Sequence, residues 1–459
     1  MKIGSERFPV YRVIVLLAAL ASALFAYALL SRGPQPPPEL AASDVVTRLA
    51  PRPLRPDIVL VTLDSTGVNH YGPVARWPRA FLAQGLSRVE TLGAKVVVFD
   101  LALDTRKTGD ALLWRAMANH RNVVLGMGYE PSRIAKATAD DTRGLVFLER
   151  DALADHLVLG PQTQSFGWQL FDPPVSDFTG SARGVGVFVR ETDPDGVLRN
   201  ARLVYTSKVD YTGLPPLSGK GPQSRLADGE PVALPNLALV ASLRVLGLDK
   251  GSVQVATGDH VRLAGNLTPP VNVPVDAQGQ MRIRFAGMAP RYPAYSFTDI
   301  ASGKAKPNLS GKVVIFGATA PGDPATQMCP TPYGRMPRLF VTASALATLL
   351  DRSYVDVVGV HLPQLLGVLL VAGVVVGLCL MWVSGGRLVA LAVVLTVAYL
   401  ALAWALYAFG SVLLPLLPVL FVILVTTLIA LALGFGPFRP RDIGVSPTYV
   451  PPPPDAMRD

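Results

Sequence analysis

The hydrophobic positions of the chain are concentrated in four long stretches that flank one long region of mixed polarity. The first stretch, 13–30, contains 18 residues without a charge, and the other three occupy 362–383, 388–409 and 412–435. A helix of about 20 residues crosses a hydrocarbon core of about 30 Å. The pattern therefore predicts one transmembrane helix, a large polar insert, and then three closely spaced transmembrane helices.

The first apolar stretch has an alternative interpretation as a cleaved signal peptide. Three small residues, Ala21-Ser22-Ala23, resemble a cleavage site. The apolar residues continue past this site to Leu30, however, where a signal peptide normally becomes polar. We expect an uncleaved membrane anchor.

Basic residues next to the predicted spans indicate their orientation in the membrane. They are Lys2, Arg7, Arg12, Arg387, Arg439 and Arg441. The positive-inside rule places these residues in the cytoplasm. The N-terminus, 1–12, and a proline-rich tail, 436–459, are then cytoplasmic, and residues 31–361 are exported. A proline-rich linker with a short helix, 31–56, precedes the exported domain proper, 57–361.

Short β-branched segments alternate with amphipathic helical segments in the exported domain. Strands are predicted at 58–63, 95–99, 122–127 and 313–316, and helices at 77–94, 111–120 and 341–350. Near-continuous apolar strands separated by helices are typical of a parallel sheet covered on both faces. The predicted fold class is α/β, a mostly parallel, Rossmann-like sheet with flanking helices. A β-rich insertion at about 130–280 includes a hairpin around the Asp193-Pro194-Asp195-Gly196 turn.

Charge and motif content exclude several classes of function. The net charge is +9, but the basic residues of the exported domain form no run, whereas a nucleic-acid surface would cluster them. The five histidines are scattered without the spacing of a zinc site, and no nucleophile elbow follows a strand. We therefore expect neither nucleic-acid binding nor catalysis, and no metal or other cofactor.

Carboxylates gather where the predicted strands end. Asp64 and Asp100 each end a strand, and Asp104 and Asp110 follow in the next loop. Ligands bind open parallel sheets at the carboxyl ends of the strands, and such a cluster suits a cation or an amine. The alternative is that these residues are solvated helix caps and turn residues.

Two further segments are predicted at the same edge of the sheet. Trp77 and Arg79 begin the first helix of the domain, where Arg79 is able to pair with Asp64 or Asp100 and the indole to cover a pocket. The alternative for Trp77 is an ordinary core contact. The segment 317–323, which contains Thr319 and Asp323, follows the fourth strand and offers backbone amides to an anion, or forms a plain tight turn.

The order of one span, a long exported α/β domain and three further spans resembles the CHASE type-two sensors of bacteria. These are the second class of sensory extracellular domains associated with cyclases and histidine kinases. The resemblance covers about 1–440 and rests on Asp44, Arg48-Leu49, 59–64, Trp77-Pro78-Arg79, 93–100, Asp110, 296–300, 309–320, Thr331-Pro332, Met336-Pro337 and 343–346. Arg338, Thr342 and Ser344 stand where the family usually has glycine, histidine and asparagine.

The resemblance implies a non-enzymatic, multi-pass sensor in the inner membrane of a bacterium. The exported domain would bind an unknown small-molecule or envelope ligand, and the spans, surrounded by lipid, would relay the change. Family members usually continue into a cytoplasmic output domain, so the proline-rich tail leads us to expect an effector in trans or a neighbouring membrane protein. A homodimer is compatible with this scheme.

Two alternatives belong to other functional classes. One is a structural envelope component whose exported domain docks a partner protein through an apolar patch. The other is an envelope enzyme that uses a metal at Asp64, Asp100 and Asp104.

Overall fold

A computed structural model describes most of the chain. The described residues are 7–31, 35–130, 153, 157–158, 170–172, 174–208, 231–256, 259–265, 267, 269–288, 292–359, 362–383 and 386–435. The predictions for Lys2, for Arg439 and Arg441, and for the proline-rich tail fall outside these residues.

The helices and strands follow the chain in a mixed order. The helices are α1 (Arg7–Leu30), α2 (Pro37–Leu49), α3 (Ser65–Tyr71), α4 (Arg79–Thr91), α5 (Asp110–His120), α6 (Ser176–Ser181), α7 (Leu237–Leu246), α8 (Phe297–Ala301), α9 (Arg338–Leu350), α10 (Leu362–Leu380), α11 (Gly386–Gly410) and α12 (Leu416–Phe435). The strands are β1 (Ile58–Leu63), β2 (Val96–Asp100), β3 (Val123–Glu130), β4 (Leu157–Val158), β5 (Leu170–Asp172), β6 (Gly184–Val187), β7 (Asn200–Arg202), β8 (Val204–Lys208), β9 (Pro231–Pro235), β10 (Val253–Ala256), β11 (His260–Leu263), β12 (Val271–Pro274), β13 (Gln280–Arg282), β14 (Ala294–Ser296), β15 (Val313–Ala318), β16 (Met328–Thr331), β17 (Gly334–Pro337), β18 (Asp356–Val357) and β19 (Val412–Leu413).

Contacts divide the chain into two units. The span unit comprises 1–39, 361–402 and 415–459, and the sheet unit comprises 40–360 and 403–414. Four helices are long and apolar enough to cross a membrane, namely Val10–Leu30, Leu362–Leu380, Gly386–Gly410 and Leu416–Leu433. They match the four apolar stretches of the sequence.

Small residues allow α1 and α10 to pack closely within the span unit. A Cβ atom at Gly373 would lie 3.1 Å from the Ala19 carbonyl oxygen and 3.2 Å from the Ala23 Cβ. A Cβ atom at Gly377 would lie 2.8 Å from a methyl group of Leu16. The two glycines, four residues apart, thus form the small-residue face that lets two membrane helices approach.

A parallel sheet forms the centre of the sheet unit, as the alternation of strands and helices predicts. Its order is β14-β1-β15-β2-β3-β6, with all neighbours parallel, and β5 pairs antiparallel with β3. Strand β15 lies between β1 and β2, so two strands that are consecutive in the predicted unit are not neighbours. The Rossmann-like order is therefore not confirmed, whereas the α/β class is.

Apolar residues cover both faces of this sheet. One face buries Val59, Val97 and Phe99 with residues of α4 and α5. The other face buries Ile58 and Val98 with residues of α7 and α9. Helix α7 is held at its start by the Asn236 side chain, which accepts a hydrogen bond of 2.7 Å from the Leu239 amide. The alternation of side chains along each strand thus places α4 and α5 in one layer and α7 and α9 in the other.

The predicted hairpin at 193–196 is wrong, although its turn is present. The Asp193 amide donates to the Val197 carbonyl and the Gly196 amide donates to the Asp193 carbonyl, which closes the turn. The flanking strands do not pair with each other, because β6 joins β3 and β7 joins β13. Apart from β5 and β6, which join β3, the described strands between 157 and 282 form small sheets, in keeping with the predicted β-rich insertion.

Candidate functional site

The carboxyl edge of the sheet brings Asp64 and Asp100 to the same side, as the sequence predicts. Asp100 is the last residue of β2 and aligns with Gly317 of β15, which aligns in turn with Thr62 of β1. Asp64 directly follows β1. Because β15 separates the two strands, their backbones are about 10 Å apart, two strand spacings of about 4.8 Å.

Asp100 is buried and makes an ion pair with the first residue of α9. It is 2% exposed, and its two carboxylate oxygens accept hydrogen bonds from Arg338 Nε at 2.7 Å and from the Thr342 hydroxyl at 3.0 Å. The Arg338 guanidinium also lies 3.8 Å from the centre of the Phe188 ring. Arg338 and Thr342 are two of the three residues at which this chain departs from the usual family motif.

Arg79 does not pair with Asp64 or Asp100, so that prediction is wrong. Its Nε lies 3.1 Å from an Asp110 oxygen, and its Nη2 donates to the Thr105 carbonyl at 2.9 Å. Burial lowers the pKa of Arg79, and the Asp110 carboxylate partly offsets this shift. The physical reason is the pleat of β2, because Asp100 faces α9 whereas α4, which carries Arg79, packs on the opposite face.

Trp77 is a core residue rather than the cover of a pocket. It is 1% exposed, and its indole nitrogen donates to the Gly72 carbonyl at 2.9 Å. Its ring lies 5.7 Å from the rings of Phe81 and Phe297. The core interpretation of this tryptophan is therefore the one that the structure supports.

The remaining predicted residues have structural roles at the carboxyl edge. Asp64 caps α3 by accepting from the Gly67 amide at 3.1 Å, and Asp323 accepts from the amides of Val74 and Ala325, both at 2.8 Å. The second oxygen of Asp110 accepts from the Lys107 amide at 2.9 Å.

Asp104 and Thr319 lie at the same edge. Asp104 is exposed and accepts from the Thr105 hydroxyl at 3.1 Å, and the Thr319 amide donates to the Leu63 carbonyl at 3.0 Å. In the part of the chain that the structure describes, no group of three His, Cys, Asp or Glu residues could hold a metal ion. A ligand-binding role for the eight predicted residues stays a prediction.

A buried cluster around Arg199 was not identified from the sequence. The Arg199 side chain is 1% exposed and pairs with Asp44 of α2 at 2.7 Å, with Asp193 at 2.9 Å and with Asp195 at 2.7 Å. Burial opposes the charged form of Arg199, but hydrogen bonds to the three carboxylates raise its pKa above the ordinary value. The turn sequence indicated Asp193 and Asp195, and the family resemblance includes Asp44, but no local pattern connects these residues with Arg199.

Other polar contacts involve segments next to the predicted spans. Arg52 and Arg55 both pair with Asp351, directly after α9. Arg284 donates to the Ala408 carbonyl at 3.0 Å and to the Ser411 hydroxyl at 2.7 Å, at the end of α11. A cation at this position satisfies carbonyl groups that a helix end leaves unpaired.

Glu39 makes the corresponding contact at the start of α12. Its carboxylate accepts from the Leu416 amide at 2.7 Å and from the Leu417 amide at 2.8 Å. Burial raises the pKa of Glu39, and these two amides oppose the shift. The free amides at the start of this helix are therefore bound by a side chain rather than by water.

A family comparison agrees with the arrangement of spans and sheet. The model of the CHASE2 domain matches residues 16–383. No curated protein and no solved structure matches the chain. Since the match covers well over half of the sequence, the chain belongs to the CHASE2 domain family, a family of extracellular sensor domains.

Proposed function

We propose that this protein is a membrane-anchored sensor whose exported domain binds a ligand and whose spans pass the change to an effector in the cytoplasm. The CHASE2 match and the four apolar helices support a sensor domain anchored in a membrane. Relay requires that the ligand bind one conformation better than another, typically by about 1–3 kcal/mol. The protein acts by binding and has no catalytic step in this proposal.

The observation that carries the proposal is the Asp100–Arg338 ion pair. It joins the carboxyl edge of the sheet to the first residue of α9, and α9 ends at Leu350, shortly before α10 begins at Leu362. A change at the sheet edge that weakens this ion pair would release the start of α9. The segment between α9 and the second predicted span could then adopt a second conformation.

The Asp100→Asn variant tests this relay. The asparagine keeps the shape of the side chain but leaves the buried Arg338 without its counter-charge. We expect the disulfide crosslinking rate of an Ala23→Cys/Gly373→Cys pair, whose Cβ atoms would be neighbours, to change about fivefold or more. The measurement uses the full chain in native membranes, with Cys329 and Cys379 replaced by alanine.

The control for this experiment is Asp177→Asn, which removes an exposed ion pair with Arg106 and should leave the rate unchanged. Thr342→Val, which removes only the second hydrogen bond of Asp100, should give a smaller change in the same direction. An unchanged rate in both Asp100→Asn and Thr342→Val would contradict the relay.

Residues 31–361 are proposed to lie outside the cytoplasm, in the periplasm if the membrane is the inner membrane of a bacterium. The distribution of basic residues around the spans supports this orientation. A reporter enzyme that is active only outside the cytoplasm should be active when fused after Gly196 or Gly410 and silent after Pro440. Activity after Pro440 would refute the four-span topology.

The effector is sought by crosslinking in native membranes followed by purification of the chain. Recovery of a cyclase, kinase or other cytoplasmic signalling enzyme would support the sensor. Recovery of envelope proteins alone would favour the alternative, a structural component that docks a neighbour. Deletion of 445–459 then tests whether the proline-rich tail takes part, since extended proline segments suit docking into aromatic grooves.

A further inference from the structure

A second region of the sheet unit, at the amino edge of the sheet, has the shape of a binding site. A cleft of about 430 Å³ lies between the start of β6 and the last turns of α7. This volume is within the range of about 300–1,000 Å³ that is usual for small-molecule sites. The predicted carboxyl-edge site is at the other end of the strands.

The cleft has apolar walls and a basic rim. Val185, Val240 and Leu243 line its wall, and its charged lining residues are Arg183, Arg244, Lys250 and Asp249. Three cations therefore face one carboxylate. Arg244 Nη1 lies 3.0 Å from an Asp249 oxygen, and Arg183 Nη2 lies 3.7 Å from the same oxygen.

One edge of the Arg244 guanidinium is left for another acceptor. The side chain is 14% exposed, and within the described residues its Nε is buried without a hydrogen-bond partner. A buried donor of this kind normally has an acceptor. The Nε and Nη2 atoms both lie 3.9 Å from the position that a Cβ of residue 184 would occupy. Val240 Cγ1 lies 2.6 Å from the same position, so the apolar wall of the cleft borders this edge of the guanidinium.

We infer that this cleft binds a small organic acid with an apolar body. The carboxylate of the ligand would accept two parallel hydrogen bonds from Nε and Nη2 of Arg244, the geometry that guanidinium groups favour. The apolar body would lie against Val240 and Leu243. Asp249 binds Arg244 through Nη1, on the other side of the guanidinium, and its negative charge partly offsets the cations that would attract the acid. That this acid is the sensed ligand rests on the proposed sensor function, whereas binding itself does not.

Titration of the purified full chain with 4-phenylbutyrate and with its neutral amide tests the inference, with isothermal calorimetry as the readout. We expect saturable binding of the acid, and binding of the amide weaker by about tenfold or more, because charge-assisted hydrogen bonds are lost. Equal affinity for the acid and the amide, or no binding of the acid, would overturn the proposal.

Three variants locate the site. Arg244→Met keeps the apolar stem and should weaken binding of the acid about tenfold or more. Asp249→Asn removes the offsetting negative charge and should tighten binding, a result that a purely structural role would not give. Arg262→Met, an exposed position on β11, should change nothing. If Arg244→Met fails to fold, the Asp249→Asn variant decides, and unchanged or weaker binding of the acid to that variant overturns the assignment.

Binding of the acid without any change in the crosslinking rate of the spans would contradict the relay and leave the binding site intact.

Discussion

Replacement of Arg199 by methionine is expected to lower the free energy of unfolding by about 3–5 kcal/mol. The variant removes one charge and leaves the Asp44, Asp193 and Asp195 carboxylates facing one another in a site of low exposure. Nothing compensates the repulsion between these carboxylates or the loss of their hydrogen bonds. Removing one partner of a buried ion pair therefore lowers stability far more than removing one partner of an exposed pair. Denaturant or thermal unfolding of the purified chain measures the change.

Arg106→Met is the matched control for Arg199→Met. Arg106 and its partner Asp177 are 61% and 54% exposed, so this substitution should cost less than about 1 kcal/mol. Adding Asp44→Asn to Arg199→Met should recover part of the loss, since one of the unpaired charges is then gone. Equal stability of the Arg199→Met and Arg106→Met variants would show that the cluster contributes nothing.

The contribution of the Arg199 cluster to the free energy of unfolding depends on pH. Hydrogen bonding to Arg199 lowers the pKa of Asp195 below its ordinary value. A carboxyl group whose folded pKa is depressed adds stability above its unfolded pKa, and this stability is lost as the pH falls through the folded pKa. We therefore expect acid to destabilise the native chain more steeply than it destabilises Arg199→Met.

Gly377→Leu is expected to disrupt the packing of the first span. Its Cβ alone would lie 2.8 Å from a Leu16 methyl group, 3.2 Å from the Leu16 Cα and 3.3 Å from the Ala19 Cβ. Overpacking at such a contact costs about 1–3 kcal/mol or more. Crosslinking of the Ala23→Cys/Gly373→Cys pair should fall sharply, and the amount of chain in the membrane should drop.

Gly367→Leu is the control on the same helix, because nothing lies within 4 Å of a Cβ at that position. It should leave both crosslinking and membrane abundance unchanged. The comparison also decides between the anchor and the signal peptide. If the first stretch were removed by cleavage, Gly377→Leu would behave like Gly367→Leu.

Periodicity predicted the elements well because most of them are determined by local apolar content. Four apolar stretches became four long helices, and the segments at 58–63 and 313–316 became β1 and β15. The pairing of the strands, by contrast, was not predictable from local apolar content. An all-apolar strand fits any position in a covered sheet, so the sequence does not show that β15 inserts between β1 and β2, or that β6 pairs with β3 instead of with β7.

The sequence predicted which residues lie at the carboxyl edge of the sheet, but not which side chains they contact there. Parallel strands bring Asp64 and Asp100 to one edge whatever their order. The partner of each side chain depends on which face it takes, and Asp100 at a strand end turns towards α9 and Arg338. Asp44 and Arg199 are 155 residues apart, and no local pattern connects them.

The distance along the chain between early segments and their partners constrains how the protein is made. The Thr62 hydroxyl of β1 donates a hydrogen bond to the Tyr295 carbonyl, 233 residues later in the chain. The Glu39 carboxylate accepts one from the Leu416 amide, 377 residues later. At about 5–20 residues per second, synthesis of the missing neighbours of β1 takes on the order of ten seconds or more. During that interval both edges of β1 and one edge of β2 lack their partner strands, and such late long-range pairing is slow and exposed to aggregation. A nascent chain that stops before β15 lacks the central strand of its sheet, so the sheet is completed only after more than 300 of the 459 residues have been made.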